Sequence, residues 1–115
     1  MVDDDHDFRV LLVTLLSATD GVEVVGDAAD GHEALEVIER TDPDAAIVDL
    51  LMPGMDGFEL IARLREERPG MRLVANSAIA TTERTGEITR LGVPVLSKSS
   101  NPAVLLAALQ DGTGG

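Results

Sequence analysis

The sequence predicts an α/β fold, a parallel sheet with helices on both faces. Three observations carry that prediction. Short apolar runs alternate with segments of helical periodicity along the chain. The run Ala45-Ala-Ile-Val48 is continuously apolar, as in a strand covered on both faces. Breakers at Gly26, Asp42-Pro43, Pro69-Gly70 and Gly92 separate the segments.

Each element has a local reason. Phe8, Leu12, Leu15 and Leu16 share a helical face, which predicts a first helix over 7–17. Val22-Glu-Val-Val25 reads as a short strand. Asp30-Gly31 opens a second helix with Ala34, Leu35 and Ile38 inward. Ala45–Leu50 is the next strand, and 58–68 a helix with Phe58, Ile61 and Leu64 inward. Leu73-Val-Ala75 is a strand and 82–91 a weakly patterned helix, with Gly92 as its C-cap. Val93-Pro-Val-Leu96 is a strand whose proline suits a sheet edge. Asn101 caps a last helix, in which Val104, Leu105, Ala108 and Leu109 are expected to pack. The chain of 115 residues reads as one domain over 1–110, with a flexible tail at 111–115.

Composition narrows the function. A net charge of -12 argues against direct nucleic-acid binding. The chain has no cysteine, which excludes disulfides, thiolate chemistry and zinc-thiolate sites. No apolar stretch is long enough to span a bilayer, and the acidic start does not read as a signal peptide; the expected location is cytoplasmic.

In sheets of this kind ligands bind beyond the carboxyl ends of the strands. The polar residues that follow each apolar run are Asp3, Asp4 and Asp5 after Val2, then Asp49, then Asn76 and Ser77, then Ser97 and Lys98. Lys98 is the only lysine in the chain. Clustered carboxylates without cysteine or convergent histidine favour a hard cation, most simply Mg2+. A lysine and a hydroxyl suit a phosphoryl group, and an aspartate that accepts one becomes an acyl phosphate. The residues therefore point to Mg2+-dependent phosphoryl transfer to Asp49. Asp5, Asp7, His6 and His32 read as solvated residues at helix starts.

The chain resembles a response-regulator receiver domain (CheY-like) of two-component signalling. The resemblance runs from Val2 to Leu109. It rests on Val-Asp-Asp-Asp-His-Asp-Phe-Arg at 2–9, Val-Val-Gly-Asp-Ala-Ala-Asp-Gly at 24–31, Val-Asp-Leu-Leu-Met-Pro-Gly-Met-Asp-Gly at 48–57 and Leu-Ser-Lys at 96–98. It implies a doubly wound five-stranded parallel sheet in the order 2-1-3-4-5 with five helices. It also implies a phosphoacceptor at Asp49 and a Mg2+ site formed by Asp3, Asp4, Asp49 and the backbone carbonyl of Leu51. Ser77 would be the switch hydroxyl, with Thr81 or Thr82 competing for that role, and Lys98 the phosphate-binding lysine. The implied donor is a phosphohistidine on a histidine kinase or phosphotransfer protein. A downstream effector would read the face of the fourth helix, fifth strand and fifth helix, on a monomer or weak homodimer.

Departures from the family pattern matter. Only Met1 and Val2 precede the acidic pair, so the first strand is expected to be truncated, through a misplaced start or a natural shortening. Val95 stands where the family carries an aromatic switch residue, and Ser99 follows Lys98 where proline is more frequent. No output domain follows, so the chain is a stand-alone receiver or part of a larger regulator. Two other functions stay open, a pseudo-receiver that is never phosphorylated and a phosphohydrolase with an aspartyl nucleophile. The hydrolase reading lacks its second acid, because Leu51 stands two residues after Asp49. That leucine leaves attacking water unassisted, so the acyl phosphate is expected to hydrolyse slowly. Rapid loss of the phosphoryl mass after removal of the donor would contradict this.

Overall fold

Three parallel strands among the described residues set the frame. In the computed structural model, which describes residues 1–50, 56–77, 83–97 and 102–111, β1 (Ala45–Asp49), β2 (Arg72–Ser77) and β3 (Val95–Ser97) pair in the order β1-β2-β3. Ala45 lies opposite Arg72, Asp49 opposite Asn76, and Ser77 opposite Ser97. Among the described residues five helices accompany them: α1 (His6–Ser17), α2 (Gly31–Thr41), α3 (Gly57–Glu67), α4 (Glu83–Arg90) and α5 (Pro102–Asp111).

Strand alternation divides the core into two layers. Ile47 and Val74 face Leu12 and Leu16 of α1 and Leu105 of α5. Ala46, Val48, Leu73 and Ala75 face Ala34 and Ile38 of α2, Phe58, Ile61 and Leu64 of α3, and Ile88 of α4. The sheet is thus wound on both faces, which explains the unbroken apolar run of β1.

The order continues beyond β1 through single residues. Val2 bridges Val48 on one side and Ala28 on the other, both in parallel. The Val2 N–H donates to Ile47 O (2.8 Å), and the Asp49 N–H donates to Val2 O (2.8 Å). On the far side the Asp3 N–H donates to Ala28 O (3.0 Å), and the Ala28 N–H to Met1 O (2.9 Å). The sequence order of the implied sheet, 2-1-3-4-5, is therefore kept, but its first two positions are reduced to these bridges.

Val22–Val25 does not form the strand predicted for it. A parallel strand needs a neighbour along its length, and here Met1–Asp3 reaches only Gly26 and Ala28. Its burial still alternates, with Val22 and Val24 half-buried and Glu23 and Val25 exposed. Between this segment and β1 lies a cleft of about 450 Å³, lined by Val22, Val24, Val37, Ile38, Ala45 and Ile47 among others.

The helices start on acids. Asp5, Asp30 and Asp56 are N-caps whose carboxylates accept from the N–H of Phe8, Glu33 and Glu59. Each satisfies an otherwise open helix donor and complements the helix dipole, worth about 1 kcal/mol apiece. With Asp5 as its cap, α1 begins one residue before the predicted start. Its buried row is Leu12 and Leu16 with half-buried Phe8, at i, i+4 spacing; Leu15, predicted inward, is exposed. Val104, predicted to pack, is exposed as well, while Leu105 beside it is buried. Asp111, predicted to begin the tail, closes α5, and the rest of the tail, like the Asn101 cap, lies outside the described residues.

Candidate functional site

The site lies where Val2 and β1 both end. The Asp49 N–H bond to Val2 O holds the two strand ends side by side. The carboxyl edge therefore presents Asp3 and Asp49 together. Both are buried, Asp3 with no exposed surface and Asp49 at 2%. Asp4 follows on the exposed side. One carboxylate oxygen from each of Asp3, Asp4 and Asp49 falls in a group whose members all lie within 4.8 Å of one another.

Local structure fixes these acids. Asp3 is tied through both its backbone and its side chain. Its N–H donates to Ala28 O (3.0 Å), its Oδ1 accepts from the Asp5 N–H (2.8 Å), and its carbonyl accepts from Arg9 Nη1 (2.6 Å). Asp49 sits between Val48 and Leu50, neither of which is exposed. Below it, the Gly57 N–H donates to Leu50 O (3.1 Å), so α3 starts directly against the strand end.

β2 supplies the next polar pair. Asn76 stands opposite Asp49 in the register, and Ser77 follows it; both are buried. The Leu50 N–H donates to Asn76 O (3.1 Å), which locks the ends of β1 and β2 together. Of the residues predicted from sequence, the structure thus gathers Asp3, Asp4 and Asp49 and puts Ser77 at the end of the neighbouring strand. Leu51, Lys98, Thr81 and Thr82 lie outside the described residues.

The donor set suits a hard divalent cation. All three groups are carboxylates, and no histidine or cysteine joins them. Buried carboxylates at this spacing repel one another, and a divalent cation held between them removes that penalty.

The profile of the response regulator receiver domain matches residues 1–110. The chain belongs to that family. This receiver domain is 34% identical over 116 residues to the nitrate/nitrite response regulator protein NarL of Escherichia coli K12, covering all of the chain and 54% of that protein. It is 35% identical to the probable transcriptional regulatory protein NarL of Mycobacterium tuberculosis H37Rv, covering all of the chain and 44% of that protein. The chain thus spans about half the length of these curated relatives. Among solved structures, the signal receiver domain of the putative response regulator NarL from Mycobacterium tuberculosis superposes with a TM-score of 0.86 at 34% identity, over 99% of this chain and 94% of that one. A response regulator from Burkholderia pseudomallei, solved with a phosphorylated aspartic acid, a calcium ion and citrate, superposes with a TM-score of 0.84 at 28% identity, over 95% and 64%.

Two further residues stand at this edge. Spacing does not point to Arg9, because nothing in it shows that the side chain folds back onto Asp3. Spacing places Asn76 at the edge without assigning it a role; a polar side chain in the middle of a buried edge is the signal that marks it. No helix of the described residues is long and apolar enough to cross a membrane.

Proposed function

We propose that this receiver domain, spanning 1–110, is a phosphorylation-dependent signalling switch with Asp49 as its acceptor. The observation that carries the reading is the grouping of Asp3, Asp4 and Asp49 at the carboxyl edge of a doubly wound sheet. The Burkholderia neighbour, with its phosphorylated aspartic acid and calcium ion, supports it.

In this reading an Asp49 carboxylate oxygen attacks the phosphorus of a phosphohistidine on a histidine kinase or phosphotransfer protein. The new O–P bond forms as the P–N bond breaks, the imidazole leaves, and Asp49 carries an acyl phosphate. Asp3, Asp4, Asp49 and the Leu51 carbonyl would hold Mg2+, which neutralises charge on the phosphoryl oxygens when bound. Lys98 pairs with the phosphoryl group and Ser77 donates to it as the switch hydroxyl. The phosphorylated state then shifts a two-state equilibrium that an effector reads on the face of α4, β3 and α5. The domain acts in the cytoplasm as a monomer or weak homodimer, makes no direct contact with nucleic acid, and performs no catalysis beyond its own phosphorylation and slow dephosphorylation.

The test is intact mass after incubation with Mg2+ and acetyl phosphate, beside Asp49→Asn. One added phosphoryl group on the parent and none on the variant is the expected result. No addition to either would point to a pseudo-receiver, and addition to both would place the acceptor elsewhere.

A further inference from the structure

Arg9 reaches back from the first turns of α1 to the acidic edge. Its side chain is only 13% exposed. Nη1 donates to the Asp3 carbonyl at 2.6 Å, Nε pairs with Asp27 Oδ2 at 2.8 Å, and Nη2 lies 3.3 Å from His6 Nδ1. The Asp3 carbonyl belongs to the peptide plane that joins Asp3 to Asp4. Whatever fixes that plane fixes ψ of Asp3 and φ of Asp4, and with them the directions in which both carboxylates leave the backbone.

We propose that Arg9, anchored by Asp27, is a positioning residue that holds the Asp3–Asp4 peptide plane so that both carboxylates converge with Asp49 on a divalent cation. The inference rests on the cation site of the proposed function. A planar guanidinium suits the task, because its donors leave in fixed directions and can serve three acceptors at once. Asp27 has two effects. It offsets the positive charge, which would otherwise oppose a cation at the triad, and it stops the guanidinium from swinging onto the carboxylates themselves.

Charge and positioning make opposite predictions here, which gives the test its sign. If Arg9 acted only through its charge, Arg9→Met would tighten Mg2+ binding. If it positions, the same variant loosens it. Mg2+ affinity is measured calorimetrically on the full chain, with far-UV circular dichroism as the check on folding. The expected results are about tenfold weaker binding for Arg9→Met, a ΔΔG near 1.4 kcal/mol, and about threefold weaker binding for Arg9→Lys. The lysine variant keeps the charge but offers one donor point in place of a rigid fork, so it carries the test if the methionine variant does not fold. Binding within twofold of the parent, or tighter, in the folded variants would overturn the role of Arg9 while leaving the cation site standing. A parent chain that binds no Mg2+ would overturn the cation site itself, and this role with it.

Discussion

Gly57→Ala is expected to destabilise the protein by about 3 kcal/mol and lower its melting temperature by roughly 10 °C. A Cβ at this position would lie 2.5 Å from Leu50 Cα and 2.7 Å from the Asp49 carbonyl carbon, and closer still to the Asp49 carbonyl oxygen. Every one of these atoms is backbone, so no rotamer change relieves the clash. Either α3 backs away from β1 or the end of β1 shifts. The first choice breaks the Gly57 N–H bond to Leu50 O and opens the layer formed by Phe58, Ile61 and Leu64. The second moves Asp49 out of line with Asp3. Both outcomes are expected to lower phosphoryl uptake as well as stability. Gly70→Ala is the control, since a Cβ there meets nothing within 4 Å. Thermal melts of the two variants should differ by most of that amount; equal melts would show that the β1–α3 junction yields easily.

The sequence makes the layer structure readable because burial leaves a period. β1 is covered on both faces and is apolar up to Asp49 at its end; α2 and α3 are covered on one face, and Ala34, Ile38, Phe58, Ile61 and Leu64 are buried as their spacing predicts. The first strand and its neighbour are less readable, because strand formation is a pairwise property. Val22–Val25 has the residues of a strand and the alternation of one, and lacks only a partner among the described residues. Leu15 and Val104 are apolar yet exposed, since composition does not record which way a helix is rolled onto its sheet.

The site follows the same division. The acids were readable from position alone, because each stands just past an apolar run, at the edge where a parallel sheet presents its ligands. Their support was not. Arg9 contacts Asp3 through a backbone carbonyl and Asp27 across 18 residues of chain, and neither contact leaves a trace in spacing. Gly57 is readable as a turn residue, but the reason only glycine fits there is the approach of α3 to Asp49 O, which is tertiary.

Four residues of β-branched apolar type added ahead of Met1 are expected to stabilise the domain by roughly 2 kcal/mol, about 8 °C in melting temperature. The register dictates where their backbone goes. Val2 takes its bonds from Ile47 and Asp49, so the residue just ahead of Met1 falls two places earlier on β1. Its carbonyl meets the Ile47 N–H and its N–H meets the Ala45 carbonyl. The residue before that meets the Gly26 N–H and the Val24 carbonyl on the opposite side. None of these four groups has a hydrogen-bond partner among the described residues, and together they edge the 450 Å³ cleft. Each bond contributes about 1 kcal/mol net and each buried valine-like side chain about 2 kcal/mol, against about 2–3 kcal/mol to order each residue.

A pH signature reports the part of the gain that comes from removing the buried terminal ammonium. The Met1 ammonium donates to Gly26 O at 3.4 Å, and burial pulls its pKa below the ordinary value of 8.0, with Arg9 adding to the effect and Asp27 opposing it. The unfolded chain therefore binds more protons than the folded one between the lowered value and 8.0, so stability rises with pH through that window and levels off above it. The extension turns this ammonium into a neutral amide and carries the new terminus out of the cleft. The stability difference between the extended and parent chains is thus expected to be larger at pH 6 than at pH 9. A difference that does not change with pH would show that folding does not penalise the Met1 ammonium in the parent chain.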